Sequence, residues 1–146
     1  MSETDLIKLY SSRILTLAAE MPRVGKLSDA DAEVKKRAAL CGSTVTVWLK
    51  IKDKTVVDYA QDVKACALGQ AAAAVVGTAI VGCTTKQVIE ARDQLRAMLK
   101  ENGPVPAAPF EGLEVLIPAR DYKNRHDSIL LSLNASVEAI ESLSAS

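Results

Sequence analysis

The sequence predicts an α+β fold in which a small antiparallel sheet of two or three strands is covered on one face by helices. A helical pattern opens the chain, strand-like segments follow one another before residue 66, and the C-terminal half has helical periodicity. Because the strands do not alternate with helices, an antiparallel meander is favoured over a doubly wound parallel sheet. With 146 residues, of which 49% are hydrophobic, residues 1–146 are expected to form one domain.

An N-terminal helix is predicted from Asp5 to Met21. Thr4 can cap its first turn, and Pro22 disfavours its continuation. Apolar residues recur at steps of three and four, as on one face of an amphipathic helix. These residues are Leu6, Leu9, Tyr10, Ile14, Leu17 and Met21.

A β-hairpin is predicted next. Apolar and mostly polar residues alternate over Thr44–Lys52, which is typical of a half-buried strand. Asp53 and Lys54 form the turn, and Thr55–Ala65 returns as the antiparallel partner. Ala32–Leu40 is ambiguous, because its residues favour a helix but lack a wide apolar face; its end is interpreted as an edge strand.

The C-terminal half predicts several helices. One, rich in Ala and Val, spans Gln70–Val81 and ends at Gly82. The next begins at Thr84 or Thr85, because Thr84 and Gln87 match a capping box. Its predicted apolar stripe is Val88, Ala91, Leu95, Met98 and Leu99.

The residues that follow predict a loop and a final helix. Asn102-Gly103-Pro104 ends the preceding helix, and a loop continues to Pro109. Leu113–Ile117 is expected to form a helical turn that Pro118 breaks. The last helix is predicted from about Asp127 to Leu143, with Ile129, Leu130, Leu133, Val137 and Ile140 turned inward.

Charge and composition argue against several kinds of partner. Eighteen basic residues balance eighteen acidic ones, and only 3% of residues are aromatic. Binding to nucleic acid or to an anionic membrane is therefore not expected. The first residues are acidic and no apolar segment typical of a signal peptide follows, so we expect a cytoplasmic protein. In that reducing compartment the three cysteines are expected to be free, metal-bound or reactive.

Two of these cysteines are related by the predicted hairpin. Cys41 lies twelve residues before Asp53, and Cys66 lies twelve residues after Lys54. Because the outer ends of antiparallel partners lie side by side, we expect the two thiols to be neighbours. Cys66 also lies near the start of a helix, where the free N–H groups favour a thiolate.

These cysteines also carry a family resemblance. Cys41-Gly42, together with the stretch Lys64-Ala65-Cys66-Ala67-Leu68-Gly69-Gln70 and the alanines after it, resembles the NifU-like/IscU-like (U-type) iron–sulfur cluster scaffolds. The resemblance extends over about Asp5–Leu143. It implies a non-catalytic scaffold that receives sulfur from a cysteine desulfurase and delivers clusters to apo iron–sulfur acceptor proteins.

The chain departs from the pattern of this family at three places. Asp127, after His126, stands where the family has its third cysteine. Ser43 stands where the family has the Asp of its Cys-Gly-Asp motif. Ile117-Pro118-Ala119-Arg120 replaces the family's chaperone-binding Leu-Pro-Pro-Val-Lys. The resemblance therefore implies an altered ligand set.

That ligand set is predicted to be Cys41, Cys66, His126 and Asp127. Two sulfurs, one nitrogen and one oxygen suit Zn²⁺. The same residues can hold iron or a labile [2Fe-2S] cluster, because His can replace Cys on an iron. The alternatives are buried cysteines that act only as small apolar residues, a surface histidine, and an aspartate that only caps a helix.

Other residues and other functions also stay open. Cys83 matches no family cysteine and is interpreted as structural. The cluster Arg120, Lys123 and Arg125 is either a solvated face or a docking surface for a sulfur donor. A cluster-free regulatory partner of a cysteine desulfurase is the second hypothesis for the whole chain. A thiol enzyme with Cys66 as nucleophile and His126 as base is the third.

Overall fold

A computed structural model describes residues 11–144, and its architecture confirms the α+β prediction. A helix, three strands and a helical C-terminal half follow one another along the chain. The elements are α1 (Ser12–Ala19), β1 (Ala32–Arg37), β2 (Thr44–Lys52), β3 (Thr55–Lys64), α2 (Ala67–Ala79), α3 (Thr85–Lys100), two 3₁₀ segments (Glu111–Asp121 and Lys123–Arg125) and α4 (His126–Ser144). The predicted helical residues Asp5–Tyr10 and their cap Thr4 lie outside the described residues.

The three strands form one antiparallel sheet in the order β1-β2-β3. The turn between β2 and β3 has both central residues in the left-handed region, with φ of 52° at Asp53 and 59° at Lys54. Such turns match the right-handed twist of the strands. The predicted strand Thr44–Lys52 is confirmed at both ends, and its partner ends one residue earlier than predicted, at Lys64.

The ambiguous segment contains an edge strand, but this strand occupies its beginning and not its end. Strand β1 runs from Ala32 to Arg37 and alternates between half-buried and exposed side chains. Its backbone pairs with β2 from Ala32 opposite Leu49 to Arg37 opposite Thr44. Pairing with a neighbouring strand outweighs a helix preference that is worth only tenths of a kcal/mol per residue.

One face of the sheet contributes its alternate residues to the core. Val45, Val47 and Leu49 of β2 are buried, as the alternation predicts. Trp48 points to the other face, yet it is buried too, and its indole Nε1 donates a 2.6 Å hydrogen bond to Glu33 on β1. The second face of the sheet is therefore partly covered where Trp48 lies.

Helices α2 and α4 lie next to each other, and α4 also packs on α3, β1 and β2. All five predicted apolar positions of α3 and all five of α4 are buried. Helix α2 begins at Ala67, three residues before the predicted Gln70. Within residues 11–144, no helix has the length and apolar character needed to cross a membrane.

The prediction that Pro118 breaks a helical turn is wrong. The first 3₁₀ segment passes through this residue and continues to Asp121. Proline holds φ near −65°, which lies within the range of a 3₁₀ helix, so the ring fits this backbone. The continued segment carries the chain directly into the start of α4.

Candidate metal site

Two cysteines lie just beyond the last paired residues of the hairpin. Thr44 pairs with Lys64 at this end of the sheet. Cys41 lies three residues before Thr44 and is exposed, while Cys66 lies two residues after Lys64 and is half-buried. Cys66 is also the N-cap residue of α2. The hairpin and the start of α2 together place the two thiols at one end of the molecule.

Two serine hydroxyls connect these thiols in what we call the thiol–hydroxyl chain. Cys41 Sγ lies 3.2 Å from Ser43 Oγ, and Ser43 Oγ lies 3.0 Å from Ser128 Oγ. Ser128 Oγ lies 3.6 Å from Cys66 Sγ. Ser43 is 4% exposed and Ser128 is 2% exposed. The thiol–hydroxyl chain is therefore anchored in the interior at its centre and reaches the surface at Cys41.

A glycine on α2 permits this close approach. A Cβ atom added to Gly69 would lie 2.5 Å from Ser128 Oγ and 3.1 Å from the carbonyl oxygen of Ser128. Real Cβ atoms are essentially never found 2.5 Å from another atom, so a larger residue would displace the Ser128 hydroxyl or shift the first turn of α2. Gly69 is thus part of the structure that holds Ser128 against Cys66.

The surroundings of Cys41 favour its thiolate. A hydrogen bond from the Ser43 hydroxyl lowers the pKa of the Cys41 thiol below its ordinary value, against a smaller opposing effect of desolvation. The backbone of Ser43, the hydroxyl of Ser128 and the positive charge of Arg125 lower the pKa further. Thiolates are the form that binds metals, so Cys41 is prepared for that chemistry.

The third cysteine has a different environment. Cys83 is buried, and its Sγ donates a 3.3 Å hydrogen bond to the carbonyl oxygen of Ala79. Burial raises the pKa of the Cys83 thiol. These contacts agree with the structural role predicted for this residue.

His126 makes its hydrogen bonds on another side of α4. Its side chain is 2% exposed, and Nε2 lies 3.1 Å from the carbonyl oxygen of Ala119 and 3.0 Å from that of Arg120. Carbonyl oxygens only accept, so Nε2 carries a proton, and in the neutral ring Nδ1 then keeps its lone pair. Nδ1 is buried, with no hydrogen-bond partner among the described residues.

Helix geometry explains why the side chains of Ser128 and His126 lie on different sides of α4. Residues two apart on an α-helix lie about 200° apart around its axis. Ser128 therefore meets Cys66, whereas His126 meets the 3₁₀ segment. Asp127 lies between them on the helix and is exposed.

Of the four predicted ligands, the structure brings Cys41 and Cys66 together and leaves the other two apart. In the described part of the chain, no three or more His, Cys, Asp or Glu side chains are grouped so that they could share a metal ion. The ligand roles of His126 and Asp127 therefore stay predictions.

Sequence reasoning missed the contribution of Ser43 and Ser128 to this site. It treated Ser43 only as a departure from a family motif and assigned Ser128 no role. A signal for Ser128 was available, since the apolar Leu131 and Ala135 follow it at steps of three and four residues, as on one face of a helix.

The three residues of the predicted basic cluster have different environments. Arg120 donates from Nε to the carbonyl of Met98 at 2.7 Å and from Nη2 to that of Gly103 at 2.8 Å, so it closes the C-terminal end of α3. Arg125 acts on the pKa of Cys41. Lys123 is exposed.

Comparisons with known proteins show the family and the fold of the chain. The chain matches the family model of the NifU-like N-terminal domain over residues 9–126. A crystal structure of the N-terminal part of a nitrogen-fixing NifU-like protein from Brucella abortus is 43% identical, with a TM-score of 0.95 over 97% of this chain and 98% of that one. The fold and the segments that carry Cys41 and Cys66 are thus shared with this group.

Two further relatives are more distant. The iron–sulfur cluster assembly scaffold protein IscU of Thermotoga maritima is 23% identical over 136 residues, which are 93% of this chain and 95% of the relative. The crystal structure of a candidate iron–sulfur cluster assembly scaffold for the SUF system from Fervidobacterium islandicum is 21% identical. It has a TM-score of 0.80 over 91% of this chain and 97% of that one, a likeness that shows the fold.

Proposed function

Because the chain belongs to the family of NifU-like N-terminal domains, we propose that it is a non-catalytic scaffold of iron–sulfur cluster assembly. Its cargo is iron or a labile [2Fe-2S] cluster, and zinc is an alternative occupant. The observation that carries the proposal is the pairing of Cys41 with Cys66 through two buried hydroxyls at one end of the hairpin.

The donor set fits a transiently held cargo. Two thiolates bind both iron and zinc well, and the lowered pKa of Cys41 increases its thiolate fraction. Two protein ligands leave positions open on a metal that prefers four. Open positions allow sulfide, a small molecule or a partner's side chain to enter and leave, as a carrier requires.

His126 and Asp127 are proposed as additional ligands. Asp127 presents an exposed carboxylate one residue before Ser128. His126 would offer Nδ1, since Nε2 is held by two carbonyl oxygens. A metal-bound His usually donates its second ring N–H to such a carbonyl. The first turn of α4 would have to shift to bring either side chain beside the thiols.

The same proposal includes partners and location. A cysteine desulfurase would supply sulfur to the exposed Cys41, and apo iron–sulfur proteins would receive the cluster, in the cytoplasm. The thiol-enzyme alternative gains no support, because the His126 Nε2 atom bonds to backbone carbonyls. The relative with a scaffold name and the family itself point to a carrier.

Metal content of the purified protein tests the proposal. We expect the protein prepared under anaerobic conditions to bind iron or zinc, and Cys41→Ala and Cys66→Ala to lose most of that metal. Cys83→Ala is the matched control, because it removes a buried thiol outside the site, and it should keep its metal. A parent protein with no more than traces of either metal after anaerobic reconstitution would contradict the proposal.

A second candidate function has one observation in its favour. The described residues gather no group of three acidic, His or Cys ligands, fewer than usually hold a cluster, so the second candidate is a partner of a cysteine desulfurase that holds no cluster. This function predicts that the Cys41→Ala/Cys66→Ala double variant still co-purifies with the desulfurase. Binding that depends entirely on the two thiols would rule it out.

A further inference from the structure

The thiol–hydroxyl chain contains more hydrogen bonds than its two hydroxyl groups can donate. Three links join Cys41, Ser43, Ser128 and Cys66, at 3.2, 3.0 and 3.6 Å between successive heavy atoms. Each link needs one proton. In the metal-free protein, two hydroxyls and two thiols together supply enough protons for all three links.

Metal binding lowers the number of protons available for these three hydrogen bonds. A divalent metal that binds both sulfurs displaces the two thiol protons to solvent and forms two metal–sulfur bonds. Two hydroxyl protons then remain for three links, so one link must open. Hydrogen bonds to a charged acceptor are about twice as strong as neutral ones. The bond between Ser43 and Ser128 is therefore the one that is lost.

We propose that Ser43 and Ser128 are paired positioning residues for the cargo of this site. In the metal-free protein their mutual hydrogen bond holds the two thiols together. In the loaded protein, Ser43 donates to the sulfur of Cys41, and Ser128 donates to that of Cys66. This inference rests on the proposed function, because it assigns roles to residues around the same two ligands.

The structure fixes both hydroxyls for this role. Ser43 and Ser128 are nearly inaccessible, at 4% and 2% exposure, so water cannot readily replace a lost partner. The carbonyl of Ser43 accepts a 2.8 Å hydrogen bond from the backbone N–H of Ala38, which holds the loop that carries Cys41. The absent side chain of Gly69 leaves the space that Ser128 Oγ occupies.

Co²⁺ alone, titrated anaerobically, is a suitable probe because thiolate binding produces a sulfur-to-cobalt charge-transfer absorption. The variants are Ser43→Ala, Ser128→Ala and the double variant. Ser132→Ala is the matched control, since Ser132 is a buried serine one turn further along α4 with no hydrogen bond to either cysteine among the described residues. Urea unfolding of each metal-free variant is measured in parallel and verifies that it is folded.

We expect each single variant to bind Co²⁺ about 10-fold more weakly, as for other groups that orient metal ligands. The double variant should lose more than the product of the two effects, because either single substitution already removes the mutual bond from the metal-free protein, whereas the two bonds to sulfur are lost separately in the loaded protein. In metal-free unfolding the two substitutions should accordingly be coupled. The charge-transfer band should move to longer wavelength in each single variant, since a thiolate without its donor holds its electrons less tightly.

Two outcomes would overturn the inference alone. Unchanged affinity and an unchanged band in both single variants would mean that the serines only fill space. A double variant that loses no more than the product of the two single effects would mean that their mutual bond persists in the loaded protein. Failure of the parent protein to bind Co²⁺ would overturn the proposed function, and this inference with it.

Discussion

Two helix starts in this molecule each have a cysteine beside them, and they are built differently. At the start of α3, Thr84 Oγ1 accepts a 3.1 Å hydrogen bond from the backbone N–H of Gln87, and the Gln87 side chain accepts one of 2.8 Å from the backbone N–H of Thr84. This capping box satisfies two of the free N–H groups at the helix start. The neighbouring Cys83 is buried and has a raised pKa.

At the start of α2 the cysteine itself is the cap residue. Cys66 makes no side-chain capping hydrogen bond within the described chain, and its thiol lies against Ser128 instead. The comparison shows that a helix start does not by itself make a cysteine chemically competent. The two thiols that we propose as ligands lie where the cap is left open and hydroxyls from other elements meet them.

The largest effect expected from this difference concerns the packing of α2 on α4. Gly69→Ala would place a Cβ atom 2.5 Å from Ser128 Oγ. We expect the variant to lose about 1–3 kcal/mol of unfolding free energy, as overpacked cores do, and to bind Co²⁺ much more weakly, because the thiol–hydroxyl chain is displaced. Urea unfolding and cobalt titration measure the two effects.

The control for this substitution lies on the same helix. In Gly77→Ala the new Cβ would lie 2.6 Å from Nε2 of the buried Gln61, far along α2 from the cysteines. This variant should also lose stability but keep its affinity for Co²⁺. If Gly69→Ala bound Co²⁺ as the parent does, the close approach of α2 and α4 would be irrelevant to the site.

A second prediction compares the thiols by their reactivity. Alkylation requires the thiolate, so its rate at a given pH rises as the pKa falls toward that pH. Cys41, exposed and with a lowered pKa, should react well before the buried Cys83, whose pKa is raised. Mass spectrometry after timed treatment with iodoacetamide distinguishes them.

Ser43→Ala sharpens this second test. Removing the hydrogen bond that contributes most to the lowering should raise the pKa of Cys41. Its rate profile should then move to higher pH, and alkylation near neutral pH should slow, while the profile of Cys83 stays in place. An unmoved Cys41 profile would show that the Ser43 hydroxyl does not stabilise the thiolate.

The smallest effects are expected at the caps themselves. Thr84→Ala removes the capping box and should cost about 1 kcal/mol of stability without changing metal binding. Cys66→Ser introduces a favourable cap residue and should stabilise the protein by up to about 1 kcal/mol while weakening metal binding. A Cys66→Ser protein that is clearly less stable than the parent would refute the idea that this cap is left open for chemistry.

Local patterns predicted much of the fold. The alternation in Thr44–Lys52 and the short turn after it fixed the hairpin, because side-chain period and turn chemistry are properties of neighbouring residues. The same holds for Thr84 and Gln87, whose capping box was read directly from their spacing. The strand Ala32–Arg37 was expected at the other end of its segment, because its position depends on pairing with β2, which is not a local property.

The site was predictable only in part. The neighbourhood of Cys41 and Cys66 follows from the hairpin, but the role of Ser128 depends on which side of α4 faces α2. That orientation is set by tertiary packing at Gly69. For His126, the acceptors are carbonyls of a 3₁₀ segment whose course through Pro118 was not foreseen. The family resemblance assigned His126 and Asp127 to the site but did not direct their side chains.

X-ray absorption at the zinc edge of the zinc-loaded protein tests the central claim most directly, since it counts the sulfur atoms bound to the metal. The two-thiol site predicts two sulfur ligands in the parent, one in Cys66→Ala and two in Cys83→Ala. A parent with no sulfur bound to zinc, or a sulfur count that Cys41→Ala and Cys66→Ala leave unchanged, would contradict it.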